Sequence, residues 1–156
     1  VISREFYAPR ELVWKAWTEP ECMRQWWGPK GAVVGYIKMD FRVGGMLHYR
    51  MQFAGQDIWG KQTYREITKP DRIIFVNSFS DESGGTTHHP MSPTWPLEML
   101  TTVTFDEREG KTTVTIEWTP INATAEELKT FDEGRSSMKQ GWTGTLDQLT
   151  DFLAKG

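Results

Sequence analysis

Apolar and polar residues alternate with a period of two through most of the middle of this chain, and give way at both ends to a period near 3.6. The first pattern predicts strands and the second helices. A short strand opens the chain from Ile2 to Tyr7. After Pro9, residues Leu12, Val13, Ala16 and Trp17 fall at helical spacing within Glu11 to Thr18. Pro20, tolerated in a first helical turn, starts a second short helix over Glu21 to Trp26, with Thr18 as its expected N-cap. Gly28-Pro29 and Gly31 then end it.

In the middle, Val33, Gly35, Ile37, Met39 and Phe41 form the more apolar of two alternating sets and are expected to face inward. After the Gly44-Gly45 turn, Leu47, Tyr49, Met51 and Phe53 alternate with His48, Arg50 and Gln52. Two further strands follow, Ile58 to Ile67 and Arg72 to Ser80, joined at Lys69-Pro70-Asp71. A polar loop runs from Asp81 to Pro96. Leu97 to Asp106 and Lys111 to Thr119 make a last hairpin around Glu109-Gly110. The expectation is an antiparallel meander of about seven strands with two short helices after the first.

The C-terminal segment is the strongest helical signal. Thr124 with Ala125-Glu126-Glu127 resembles a capping box and starts a short helix to about Phe131. A long helix follows to Ala154. Gly134, Met138, Gly141, Trp142, Thr145, Leu149 and Phe152 collect on one face. At 1.5 Å per residue it would be roughly 30 Å long, enough to cross a curved sheet. A glycine inside a helix costs about 1 kcal/mol against alanine. Two on the inward face mean either close approach of a neighbour or space left open, and the sequence does not choose between them.

Composition adds limits. A chain of 156 residues fits one domain, taken as 1–156, with eight tryptophans to fill it. The formal net charge of −3 gives no basic field for nucleic acid. Cys22 is the single cysteine, so no intrachain disulfide forms. With no membrane-length apolar run and no signal-peptide pattern, the expected location is cytoplasmic and no membrane partner is expected. His88-His89 in the polar loop and His48 on an outward position are read as structural, with no accompanying metal motif; neither a metal nor a cofactor is expected. There is no nucleophile elbow. Cys22 lies in a short helix with Glu19 and Glu21 nearby, and negative charge raises rather than lowers a thiol pKa. No catalytic residue is assigned. Asp40 and Arg42 are expected to pair beside the Gly44-Gly45 turn.

Several segments occur in a recognisable order. They are Ala8-Pro9 with Val13-Trp14-Lys15-Ala16-Trp17, then Trp26-Trp27-Gly28-Pro29, then Asp40-Phe41-Arg42-Val43-Gly44-Gly45. Trp59-Gly60 with Tyr64-Arg65-Glu66-Ile67, Trp95-Pro96-Leu97, and Ser137-Met138-Lys139-Gln140-Gly141-Trp142 with Leu146 and Leu149 complete the series. In these the chain resembles, over essentially its whole length, the SRPBCC (START-like) superfamily, in the branch named after the activator of heat-shock protein 90 ATPase. The resemblance implies an α+β helix-grip fold, a bent antiparallel sheet wrapped around the C-terminal helix with a cavity between them. On this chain Phe41, Met51, Phe53, Phe75, Met99 and Val103 would be walls, with Tyr49 and Tyr64 as hydroxyl donors. Met138, Trp142 and Thr145 would be the roof, and Trp26 and Trp27 would stand near the mouth.

The leading expectation is a non-catalytic binder of a small hydrophobic or aromatic molecule, since an aromatic- and methionine-rich inner surface is the composition of a ligand pocket. A co-chaperone-like interaction module touching heat-shock protein 90 is the alternative, and a homodimer is also kept open. A cyclase-type enzyme is a third reading, one that needs an inward polar pair or an inward carboxylate near Tyr49 or Tyr64. The loop from Asp81 to Pro96 is expected to act as a lid or an interface.

Overall fold

The computed structural model describes residues 1–29, 31–89 and 92–155. Strand β1 (Ile2–Phe6) leads into helices α1 (Arg10–Thr18) and α2 (Pro20–Met23). Next come β2 (Val33–Met39), β3 (Met46–Phe53), β4 (Gln56–Thr68), β5 (Arg72–Ser80) and the two-residue β6 (Thr86–Thr87). The chain finishes with β7 (Glu98–Arg108), β8 (Lys111–Ile121), α3 (Ala125–Glu133) and α4 (Arg135–Ala154). The strands form one antiparallel sheet in the order β1-β8-β7-β5-β4-β3-β2, with β6 attached to β5. The α+β architecture is the expected one, with one small strand added inside the polar loop. Among the described residues, no helix is long and apolar enough to cross a membrane.

The core lies between the inner face of the sheet and the helices. Phe75, Val103, Val114 and Ile116 from the strands meet Val13, Trp14, Ala16 and Trp17 from α1, and Leu146 and Leu149 from α4. Trp14 and Trp17 both meet Phe105 edge-on, at 5.3 and 6.1 Å between ring centroids. A salt bridge of 2.5 Å between Arg4 and Asp147 ties β1 to the flank of α4.

Local chemistry sets the element ends. Thr124 Oγ1 accepts from the Glu127 N–H at 3.1 Å, and the Glu127 carboxylate accepts from the Thr124 N–H at 3.0 Å. This is the reciprocal capping box read from the sequence. The turn before β3 is held by the Arg42–Asp40 pair at 2.9 Å. There Gly44 sits at φ +86°, and a Cβ on Gly45 would lie 2.1 Å from the Asp40 carbonyl oxygen, so neither position admits a side chain without rebuilding the turn.

Three expectations need correction. The N-cap of α2 is Glu19, without a side-chain cap bond, and α2 ends at Met23; turns carry the chain on to Trp26. In β2 the inward phase changes at an irregularity between Val34 and Tyr36. Val34 is therefore buried and Val33 is 62 % exposed, while Ile37 and Met39 keep the expected side. His48 does lie on the outer face, but it is buried there. It stacks on Trp59 at 5.0 Å and donates from Nε2 to the Asp81 carbonyl at 3.1 Å.

Tyr64 offers a direct test of core polarity. Its ring packs against Phe41 at 4.9 Å, its hydroxyl has no hydrogen-bond partner among the described residues, and burial pushes its pKa well above the ordinary tyrosine value. Tyr64→Phe removes an unpaired buried group and is expected to be neutral or stabilising by up to ~1 kcal/mol in urea unfolding. A loss larger than this would mean that the hydroxyl is bonded in solution.

Candidate functional site

A cavity of about 390 Å³ lies between the inner face of β3, β5 and β7 and the N-terminal half of α4. A smaller recess of about 100 Å³ shares Trp27, Tyr49, Asn77, Phe79, Trp95, Met99 and Trp142 with it and reaches Gln62 and Phe75 on the sheet.

The sequence of α4 explains why this space exists. Met138, Gly141, Trp142 and Thr145 face the sheet along one stripe, and all four line the cavity. A Cβ added to Gly141 would find nothing within 4 Å, whereas one on Gly134 would come within 2.8 Å of Trp95 Cζ3. Gly134, expected inside the long helix, instead caps the junction of α3 and α4, so the two glycines serve different ends, open space at Gly141 and close approach at Gly134. Further along, α4 grips the turn that follows α2. Thr145 Oγ1 donates to the Gly28 carbonyl at 3.0 Å, and Gln148 Nε2 donates to the carbonyls of Trp26 at 3.1 Å and Gly28 at 2.7 Å. This fixes Trp27 as a wall. Trp27 meets Trp142 at 5.6 Å and Tyr49 at 5.9 Å, both edge-on. Trp142 in turn stacks between Trp17 and Trp118, at 6.3 and 6.2 Å.

Of the residues expected at the site, Trp27, Tyr49, Met51, Phe75, Met99, Met138, Trp142 and Thr145 come together around this space. The other five do not. Trp26 is not at the mouth: it is 1 % exposed, donates from its indole nitrogen to the Ala16 carbonyl at 3.0 Å, and packs on Trp17 at 4.8 Å. The two indoles meet edge-on at 5.6 Å, and only that of Trp27 reaches the cavity. Phe41 follows the end of β2 and packs on Trp14 and Tyr64. Tyr64 packs its ring on Phe41 outside the lining, Val103 is fully buried, and Phe53 stands half-buried at the end of β3. The inner face is longer than the cavity, and these residues fill its remainder.

Other lining residues escaped a reading that looked for apolar side chains alone. Gln62, Asn77 and Phe79 fall on the inward phase of β4 and β5, in step with Tyr64 and Phe75, so alternation would have found them. His89, Ser92 and Trp95 come from the loop between β5 and β7. Pro90 and Met91 of that loop lie outside the described residues, as does Lys30 of the Trp-Trp-Gly-Pro segment. The loop is anchored at both ends. Asp81 Oδ1 accepts from the Ser83 and Gly85 N–H groups, and near the other end the Thr94 and Thr130 hydroxyls lie 2.9 Å apart.

Electrostatically the site is quiet. None of the described lining residues is Asp, Glu, Lys or Arg. Among the described residues, no cluster of three His, Cys, Asp or Glu side chains could hold a metal. Burial raises the Tyr49 pKa, opposed by a hydrogen bond from the Trp27 indole, so the hydroxyl stays protonated. Cys22 lies away from the cavity, and its thiol is pushed up by burial first and by Glu19 next.

His89 is lowered by desolvation where it packs against Phe79 at 4.6 Å. A histidine whose pKa falls on folding binds protons less readily in the folded state. The packed loop is therefore favoured above the ordinary histidine value of 6.5 and loses support as pH falls from there through the folded-state value. Hydrogen exchange at residues 86–89 is expected to be faster, relative to the sheet, at pH 5.5 than at pH 7.5. An equal ratio at the two values would remove His89 from this role.

The fold is shared with other proteins. The family model described as activator of Hsp90 ATPase homolog 1-like protein matches residues 7–154. No curated protein matches the chain. Among solved structures, protein Ms6760 from Mycobacterium smegmatis is similar at 25% identity and a TM-score of 0.78, over 97% of this chain and 88% of that one. A protein from Arthrobacter aurescens, solved in solution, is 26% identical with a TM-score of 0.78, over 99% of this chain and 85% of that one. A Staphylococcus epidermidis protein is 27% identical with a TM-score of 0.71, over 99% and 88% respectively. With a family match spanning nearly the whole sequence and the same helix-grip fold in these neighbours, this chain belongs to the activator of Hsp90 ATPase homolog 1-like family.

Proposed function

We propose that this protein binds a small hydrophobic or aromatic molecule in the cavity between the sheet and α4, without transforming it. The observation that carries this reading is Gly141. A glycine in the middle of a long helix costs about 1 kcal/mol against alanine, and here it is not needed for packing, since a Cβ would meet nothing. What it preserves is volume. Around that volume stand Trp27, Trp142, Trp95, Phe79, Met51, Met99 and Met138, the large apolar and adaptable side chains of a ligand pocket. The size, about 390 Å³, falls within the range of small-molecule sites.

The described lining offers hydroxyls, amides and the His89 imidazole but no carboxylate, so the inward carboxylate that a cyclase-type reaction was expected to need is missing from it and binding is favoured. The co-chaperone reading draws on the family's name, and no feature of the described surface favours it over the cavity. The test is native mass spectrometry of freshly purified protein, then tryptophan fluorescence during a screen of small aromatic compounds. A co-purifying mass released on denaturation, or a saturable change from Trp27, Trp95 and Trp142, is expected. An empty protein that responds to no compound would overturn the proposal.

A further inference from the structure

The inner end of the cavity is not apolar. Gln62 on β4 and Asn77 on β5 are direct cross-strand partners, and both line the inner recess. Gln62 is 3 % exposed, and it lines the recess with no hydrogen bond from its side-chain amide to another described residue. Neighbouring side chains of directly paired residues lie close enough to share a ligand group. Asn77 is oriented from behind: the hydroxyl of Thr101, itself 1 % exposed, donates to Asn77 Oδ1 at 2.6 Å. With its oxygen engaged, the asparagine is left with its Nδ2 donors for whatever enters. The Gln62 amide and the remaining Asn77 Nδ2 donors stand at the end of an aromatic sleeve, and covering them with a group that cannot bond them is costly, so they select for a partner that can. No cation among the described lining residues could neutralise an anion there.

We infer that the occupant carries an uncharged carboxamide-type group, an amide or lactam, at the end of an apolar ring body, with that group seated between Gln62 and Asn77. Its carbonyl accepts from Asn77 Nδ2, and its N–H donates to Gln62 Oε1. The aromatic walls hold the ring. This rests on the ligand-binding reading above and adds the chemistry of the ligand's head.

The test uses three probes with one ring system: naphthalene, 2-naphthamide and 2-naphthoate. Affinities are measured by tryptophan fluorescence and calorimetry on the full chain. The expected order is 2-naphthamide tightest, naphthalene about 10-fold weaker, and 2-naphthoate weakest at pH 7.5. Gln62→Met is expected to weaken 2-naphthamide about 10-fold and to leave naphthalene within about 2-fold, which also shows that the variant is folded. Thr101→Val, which frees the Asn77 amide, is expected to weaken 2-naphthamide by a few fold. If naphthalene binds and 2-naphthamide is no tighter, or if 2-naphthoate is the tightest, the inference fails while the cavity remains a binding site. If none of the three binds, both fail together.

Discussion

Gly141→Leu is expected to weaken binding of any cavity ligand by about 10- to 100-fold while raising the stability of the protein. The two effects have one cause. A side chain at 141 meets no neighbour within 4 Å at its first carbon, so it extends into the cavity instead of into packed atoms. The helix gains because leucine is a far better helix former than glycine, by roughly 0.8–1 kcal/mol. For a domain of this size that corresponds to a melting temperature about 2–4 °C higher. The ligand loses because it must share its volume with a new side chain, and overpacking of this kind costs about 1–3 kcal/mol. Gly141→Ala should show the same pair of effects, smaller in binding. Gly134→Ala is the control of opposite sign, because there the new carbon would lie 2.8 Å from the Trp95 ring and should lower the melting temperature. A thermal melt and one fluorescence titration per variant suffice. A Gly141→Leu protein that is more stable and binds as before would place the ligand elsewhere.

These contrasts show which features could be read from the sequence and which could not. Strand and helix positions follow from periodicity, and the Thr124–Glu127 capping box from local spacing, because each depends on residues close together in the chain. The inward stripe of α4 is legible for the same reason. What Gly134 and Gly141 do is not, since Gly134 sits at the junction of α3 and α4 against Trp95, nearly 40 residues earlier in the chain, and Gly141 faces space that only the folded sheet leaves open. Val33 and Val34 were exchanged by a change of phase at Gly35, which leaves no mark in an alternating pattern. Gln62 and Asn77 were overlooked for a different reason. Their phase is readable, but polar residues on an inner face run against the expectation of an apolar core, and only their place in the lining of the recess makes them candidates for a site. Phe41, Tyr64 and Val103 were placed on the correct side of the sheet but beyond the end of the cavity, a distinction that requires the curvature of the sheet.

The adjacent tryptophans carry the sharpest remaining contrast. Trp26→Phe is expected to cost about 2–4 kcal/mol and leave ligand affinity within about 2-fold. Trp27→Phe is expected to cost less than ~2 kcal/mol and weaken binding about 10-fold. Trp26 is a structural element: its indole nitrogen satisfies the Ala16 carbonyl at the inner side of α1, and its ring fills space against Trp17. Phenylalanine there leaves both a void and an unpaired buried carbonyl, and both are destabilising. Against a typical total stability of about 5–15 kcal/mol, that is a large fraction. The backbone carbonyl of Trp26, by contrast, keeps its bond to Gln148, so the turn that positions Trp27 is retained. Trp27 presents its ring to Trp142, Tyr49 and the cavity, where a smaller ring forfeits contact with the ligand and with the Tyr49 ring. Chemical denaturation and titration of the same two variants separate the roles. The opposite outcome, with binding lost at Trp26 and kept at Trp27, would require the turn after α2 to be arranged the other way round in solution, with the first tryptophan as the wall.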